Sequence, residues 1–278
     1  KGQGNALLYP DPYMRTPGDI DIYLSGGRRK IMKYVDQVCP NQVMRYHHVD
    51  FPVMKTAIEV HFTPSYMFFP VHNRRMQKWF KEVMGEQCNH RVSLPDGYGE
   101  IHVPQVSFNV IYILSHLHRH IFTEGIGLRQ LLDYYFVLLK WHTDLTNLTN
   151  SNNSLPQMTQ INTDLDALRH ELKYLGLWKF AGAVMYVLHE VFGLSEDRMI
   201  APMDEREGRF LLDEIMRGGN FGQYDDRMGS KVGESKIHRY FRMNLRNLRF
   251  VKHYPTEALS EPLFRTWFAL WKKIHGIR

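Results

Sequence analysis

One short apolar segment near the N-terminus combines a strand pattern with two carboxylates. Asp19 and Asp21 alternate with isoleucines in a run that a pair of glycines ends. Because successive side chains of a strand point to opposite faces, the two aspartates share one face and the isoleucines share the other. The run therefore predicts a β-strand over residues 19–24, followed by a turn and an amphipathic helix over residues 28–38.

Two carboxylates on one strand face repel each other unless a cation lies between them. Asp19 and Asp21 are roughly 7 Å apart in an extended chain, and a nearby like charge disfavours ionisation. A divalent metal ion is the simplest cation for this position, because Mg²⁺ prefers carboxylate oxygens. Solvated surface acids are the commoner explanation of an Asp-x-Asp pair. Here the preceding glycine, the flanking aliphatic residues and the following Gly-Gly favour a functional site.

A second strand pattern offers a third carboxylate. Alternation over residues 56–62 places Glu59 and His61 on the face opposite to the apolar residues. If this strand pairs beside residues 19–24, Glu59 completes a triad with the two aspartates. Such a triad can hold two Mg²⁺ or Mn²⁺ ions for phosphoryl or nucleotidyl transfer. His61 is expected either to support the metal ligands or to face the substrate, rather than to be a ligand, because these ions favour oxygen donors.

The two parts of the chain have different patterns. Residues 1–104 alternate short strands with short helices, which predicts an α+β domain around a small mixed sheet. Residues 105–278 contain a series of amphipathic helical patterns, which predicts an all-helical second domain. The stretch 143–162 is rich in Thr, Asn and Ser and almost uncharged, so it is expected to be a flexible surface loop.

Composition limits the class of protein. The 278 residues carry a formal net charge of +6, and two cysteines occur without metal-ligand spacing. No apolar run approaches the ~18–20 residues of a membrane helix. These features predict a reduced, cytoplasmic protein with no membrane partner.

The C-terminal part of the sequence is basic. Between Lys231 and Arg278 it contains eleven Lys or Arg residues and only three acidic residues. This basic tail is either a solvated helix face or a surface for an anionic partner such as RNA.

Several motifs in one order resemble a known family, the poorly characterised nucleotidyltransferases of the polymerase-β-like superfamily. The resemblance covers about the first 140 residues. The motifs that carry it are Lys1-Gly2, Tyr9-Pro10, Arg15, Gly18-Asp-Ile-Asp-Ile22, Glu59-Val-His61, His116, His120 and residues 127–133. The resemblance implies a metal-dependent transfer of a nucleoside monophosphate from an NTP, with Asp19, Asp21 and Glu59 as catalytic metal ligands. Small molecules, proteins and RNA all serve as acceptors on this scaffold.

The resemblance also implies contacts to the nucleotide. Lys1 and Gly2 occupy the place of the superfamily's Gly-Ser pair, and the serine is missing. A helix N-terminus there can still offer backbone N–H groups to phosphate. The other residues expected at the nucleotide are Arg15, Gly18, His61 and Arg129.

Alternatives remain open for the two arginines. Arg15 either contacts the triphosphate or braces Asp19 through a bidentate pair. Arg129 either pairs with Asp133, four residues further along its helix, or reaches a nucleotide phosphate.

Two other functional interpretations compete with the transferase. His116 and His120 share a helix face, as in a helical metal-dependent phosphohydrolase. That class generally needs an adjacent His-Asp pair, which this sequence lacks, so these histidines and His118 are interpreted as polar helix-face or interdomain residues. The missing serine favours a different alternative. In it, a catalytically degenerate transferase domain acts as a binding or regulatory module for RNA or a protein partner.

Overall fold

The computed structural model describes residues 2–53, 57–87, 89–151, 157–219, 225 and 235–277. The first part of the chain contains all the strands within these described residues. Its elements are α1 (Gly2–Ala6), β1 (Ile20–Tyr23), α2 (Gly27–Val38), β2 (His48–Asp50), β3 (Ile58–His61), α3 (Pro70–Gln87), β4 (Arg91–Ser93) and β5 (Glu100–His102).

The main sheet has three strands in the order β1-β3-β2. Strand β1 runs parallel to β3, and β2 runs antiparallel to β3, so the predicted mixed sheet is confirmed. Strands β4 and β5 form a separate hairpin. Helix α2 begins directly after a sharp turn at Gly26, whose φ of 116° is a conformation that suits glycine. This turn folds α2 back onto the sheet.

A small core lies between α2 and the sheet. Ile31 and Val35 are the buried residues of α2, and they pack against Val49 of β2 and Val60 of β3. These apolar residues occupy one face of the sheet. The alternation of side chains therefore sends the charged residues of β2 and β3 to the opposite face.

The second part of the chain is helical, as predicted. Its helices are α4 (Val106–Thr123), α5 (Leu128–Ser151), α6 (Gln157–Tyr174), α7 (Trp178–Phe192), α8 (Glu205–Gly218), α9 (Lys236–Val251) and α10 (Pro255–Ile274). None of the described helices has the length and apolar character needed to cross a bilayer.

The predicted surface loop over residues 143–162 is wrong for the residues that the structure describes. Residues 143–151 continue α5, and residues 157–162 begin α6. Leu145 is buried and extends the apolar face of α5, so tertiary packing outweighs the weak helix propensity of Thr and Asn. The hydroxyls of Thr143 and Thr146 donate hydrogen bonds to backbone carbonyls four residues earlier, which satisfies them within the helix.

The larger hydrophobic core joins both parts of the chain. It contains Phe68 and Phe80 from the first part together with Leu114 and Phe180 from α4 and α7. Helix α10 also contacts the first part directly, because the buried carboxylate of Glu257 accepts hydrogen bonds from the backbone N–H groups at positions 68 and 69. A domain boundary near residue 104 stays a prediction. Residues of α4 and α5 line a cavity together with charged residues of the sheet.

Candidate active site

Three acidic residues cross the main sheet in one row. In the parallel pair β1–β3, Asp21 lies directly opposite Glu59. In the antiparallel pair β2–β3, Asp50 lies opposite the same glutamate. Because neighbouring strands are about 4.8 Å apart, these carboxylates point from one face within reach of a common ligand. The sequence placed Glu59 with the aspartates only if its strand pairs beside the Asp-x-Asp strand. In the structure, these two strands are paired.

Two histidines occupy the next row of the same face. His61 lies opposite His48 across the β2–β3 pair. The His61 Nε2 atom is 2.9 Å from Asp21 Oδ1 and 3.3 Å from Glu59 Oε2. The His48 Nδ1 atom is 3.1 Å from the same Glu59 Oε2. Imidazole nitrogens and carboxylate oxygens therefore alternate through the cluster.

Burial shifts the pKa values of this cluster. It lowers the pKa of His48 to about 4, so that imidazole is neutral at pH 7. Burial also lowers the pKa of His47. Burial raises the pKa of Glu59, but the hydrogen bond from His61 and the neighbouring imidazoles bring it below its ordinary value. Burial raises the pKa of the half-buried Asp50 carboxyl.

Several donor sets in the cluster are compact enough for a metal ion. Asp21, Glu59 and His61 each offer a ligand atom within 4.8 Å of the others, and so do His48, Asp50 and Glu59. The sequence analysis missed His47, His48 and Asp50. Alternation within residues 42–53 places His48 and Asp50 on one face, but only the pairing of β2 with β3 brings that face to Glu59.

Asp19 lies directly before β1 and lines a cavity of about 280 Å³ between the sheet and α4 and α5. Glu59 and His48 line the same cavity. Asp21 and His61 line a neighbouring cavity of about 640 Å³ on the β5 side. Among the described residues, no compact donor set includes Asp19. The structure thus groups Asp21 with Glu59 and His61, and Asp19 lines the first cavity together with Glu59.

Arg15 braces the segment before β1 through a bidentate pair, with Asp133 as the partner. Its guanidinium donates to both carboxylate oxygens of Asp133, at 2.8 Å each. The Tyr9 hydroxyl donates to the same carboxylate at 2.7 Å. Asp133 is buried on α5 and therefore ties two points of the N-terminal segment to the helical part. A side-chain atom at Gly2 would lie 3.3 Å from Arg15 Nη1 and 3.7 Å from the Asp19 carbonyl oxygen, so α1 begins beside Asp19.

Arg129 lies one helical turn before Asp133 on α5 and contacts the same segment. Its Nη1 atom donates to the carbonyl of Pro17 at 3.2 Å and lies 3.5 Å from that of Thr16. A Cβ atom at Gly18 would lie 3.8 Å from Arg129 Nη2. Gly18, Arg15 and Arg129 therefore meet at the entrance to Asp19. Lys1 lies outside the described residues.

The histidines of α4 have separate environments. The rings of His116 and His120 are in contact, with centroids 4.4 Å apart and planes tilted by 59°, and both residues line the cavity of Asp19 and Glu59. Arg119 joins them, with Nη2 at 2.8 Å from His120 Nε2. His118 instead packs among aromatic rings of the main core. Among the described residues, no compact metal-donor set includes a histidine of α4, which gives no support to the helical phosphohydrolase.

The basic tail is partly neutralised within the fold. Arg249 forms an ion pair with Glu214 of α8. Buried Arg246 lies 3.8 Å from the carboxylate of Asp225. At least these two arginines of the basic tail therefore contribute to packing within the fold. Lys231 and Arg278, the two ends of the tail, lie outside the described residues.

Comparison with known proteins identifies one related group. The model of a family described as an uncharacterised nucleotidyltransferase family matches residues 1–193. The matched region contains the sheet, the carboxylate cluster and the helices through α7. No curated protein and no solved structure matches the chain.

Proposed function

Because the chain belongs to this uncharacterised nucleotidyltransferase family, we propose that it transfers a nucleoside monophosphate from an NTP to an acceptor hydroxyl in a reaction that depends on a divalent metal. One observation carries the proposal. Asp21 and Glu59 lie side by side on parallel strands, and Asp19 lines a cavity together with Glu59. Carboxylates that line a cavity are the kind of donors that could hold the metal ions of two-metal phosphoryl transfer, which supports the proposal.

The donor set fits a divalent ion. The carboxylates of Asp21 and Glu59 approach within the reach of a single ion, and hard oxygen donors suit Mg²⁺ and Mn²⁺. Asp19 is assigned to the second ion, across the cavity. When bound, the ions neutralise phosphate charge and lower the pKa of the attacking hydroxyl.

The protein's own groups position the triphosphate. Arg129 adds positive charge at the entrance to Asp19, and Arg15, paired with Asp133, keeps this segment in place beside the triphosphate. Gly18 and Gly2 leave the backbone accessible there, and backbone N–H groups can bind phosphate oxygens. His61 holds Asp21 and Glu59 in position. In this role the protein chiefly positions charged groups around the triphosphate, as expected for nucleotidyl transfer. The acceptor is a small molecule, a protein or an RNA, because a shared fold does not select among them.

Thermal unfolding tests the proposal directly. The parent protein is melted with each of the four NTPs, with and without Mg²⁺ or Mn²⁺. A nucleotide at 100 times its dissociation constant adds about 2.7 kcal/mol of stability, so the melting temperature rises. We expect this rise to require the metal ion and to disappear in the Asp19→Asn/Asp21→Asn variant.

The chain offers a matched control. Asp164 and Asp166 form a second Asp-x-Asp, exposed on α6 and away from the cluster. The Asp164→Asn/Asp166→Asn variant changes net charge equally and should keep the full metal-dependent rise. If no NTP stabilises the parent protein, the transferase proposal fails. The degenerate binding module for RNA or a protein partner then becomes the better explanation.

A further inference from the structure

The Nε2 atom of His61 lies between two carboxylates. It is 2.9 Å from Asp21 Oδ1 and 3.3 Å from Glu59 Oε2, and the His61 side chain is almost completely buried. A ring nitrogen of histidine carries at most one proton. That proton can form one good hydrogen bond, so it compensates only part of the repulsion between the two carboxylates.

The same distances match the edges of a metal coordination sphere. With bonds of about 2.1 Å, neighbouring donors are about 3.0 Å apart in an octahedron and about 3.4 Å apart in a tetrahedron. The distances from His61 Nε2 to the two carboxylate oxygens fall within or close to this interval. A cation bound to all three atoms would compensate both negative charges and use the nitrogen lone pair.

A nitrogen donor changes which ion such a site prefers. Mg²⁺ is held mainly by oxygen, whereas imidazole suits the first-row transition metals. Affinity at a mixed N/O site rises from Mn²⁺ through Co²⁺. His48 Nδ1, at 3.1 Å from Glu59 Oε2, holds the glutamate oxygen in place from the other side, and such outer contacts strengthen metal binding.

We propose that His61 is a direct ligand, with Asp21 and Glu59, of a divalent transition-metal ion, so that this site selects Mn²⁺ or Co²⁺ over Mg²⁺. The inference deepens the proposed function, since the site is the same, but metal selectivity is measured without nucleotide. A nucleotide that fails to bind would therefore contradict the transferase and leave this assignment standing.

The test titrates the metal-free protein with Mg²⁺, Mn²⁺ and Co²⁺ by calorimetry. We expect Co²⁺ to bind at least about tenfold more tightly than Mg²⁺, because a nitrogen donor favours transition-metal ions over Mg²⁺. Electron spin-echo measurements on the Mn²⁺-loaded protein should show coupling to at least one imidazole nitrogen. Equal affinities for Mg²⁺ and Co²⁺, or no nitrogen coupling, would overturn the proposal.

Variants assign the nitrogen to one residue. His61→Gln replaces the nitrogen donor by an oxygen donor, so it should reduce the ratio of Co²⁺ to Mg²⁺ affinity at least tenfold. His170→Gln, at an exposed position on α6, should leave the ratio unchanged. Retention of the ratio in a folded His61→Gln protein would contradict the assignment. If this buried substitution prevents folding, spin-echo measurements on a His48→Gln protein decide the question, because loss of the nitrogen coupling there would assign the nitrogen to His48 and contradict the proposal.

Discussion

Asp21 and Glu59 lie directly opposite each other on the parallel strands β1 and β3. Their side chains share the face that is turned away from α2, and His61 Nε2 lies within 3.3 Å of both. Asp19 is only two residues from Asp21 but lines a different cavity. The three predicted carboxylates are therefore not equivalent, and the differences between them can be measured.

The first prediction separates the two aspartates. Asp21→Asn should lower the Mn²⁺ affinity of the nucleotide-free protein by about tenfold or more, because Asp21 belongs to a compact donor set. Asp19→Asn should lower it by less than about threefold and should act mainly when nucleotide is present. Calorimetry with and without a non-hydrolysable NTP analogue provides the comparison. Equal losses of nucleotide-free affinity would contradict the different placement of the two residues.

The second prediction concerns the tether at Asp133. This carboxylate accepts hydrogen bonds from Arg15 and Tyr9, and both members of the Arg15–Asp133 pair are largely buried. Asp133→Asn leaves a buried guanidinium without its counter-charge, so the free energy of unfolding should fall by about 3–5 kcal/mol. Denaturation in urea measures the change.

Two control substitutions give smaller expected losses of stability with which the Asp133→Asn result is compared. Tyr9→Phe removes one hydrogen bond to the same carboxylate and should cost about 1 kcal/mol. Asp144→Asn breaks the surface ion pair with Lys140 on the same helix and should cost less than about 1 kcal/mol. A loss at Asp133 as small as that at Asp144 would show that the tether contributes little to stability.

The third prediction concerns pH. Burial in the aromatic core lowers the pKa of His118 to about 4, and the charge of Glu257 opposes part of this shift. In the unfolded chain this pKa is about 6.5. Between these values the unfolded state binds a proton that the folded state excludes, so stability falls as the pH falls from 6.5 to 4.

A substitution isolates the contribution of His118. The residue can account for up to about 1.4 kcal/mol of lost stability per pH unit. His118→Phe removes the titrating group within an aromatic cluster, so the slope of unfolding free energy against pH should decrease by up to that amount. An unchanged slope between pH 4 and 6.5 would show that other groups cause the acid sensitivity.

The fourth prediction is that the substitution of glycine by alanine changes stability in opposite directions at two helical positions. A Cβ atom at Gly208 of α8 would lie within 2.4 Å of Tyr186 on α7, whereas a Cβ atom at Gly85 of α3 meets nothing within 4 Å. Gly208→Ala should therefore destabilise the protein by about 1–3 kcal/mol through overpacking. Gly85→Ala should stabilise it by about 0.5–1 kcal/mol through helix propensity. Thermal unfolding of both variants checks the pair.

Local sequence patterns predicted much of the secondary structure. The strand expected over residues 19–24 is present as β1, and the helix expected over residues 28–38 is present as α2. These predictions succeed because side-chain periodicity and glycine turns act over a few residues. The polar stretch 143–162 failed for the opposite reason. Its local composition favours a loop, but packing along α5 decides the conformation of residues 143–151, and the described residues 157–162 belong to α6.

The sequence by itself determined that Asp19 and Asp21 lie near one strand, that Glu59 and His61 share a face of another, and that helices follow. Only the tertiary structure decided which strands are neighbours. The pairing of β3 between β1 and β2 brought His48 and Asp50 to the cluster, and the packing of α5 brought Asp133 to Arg15. Strand order and ion-pair partners depend on contacts between distant segments, whereas periodicity in the sequence reports only which face a side chain occupies.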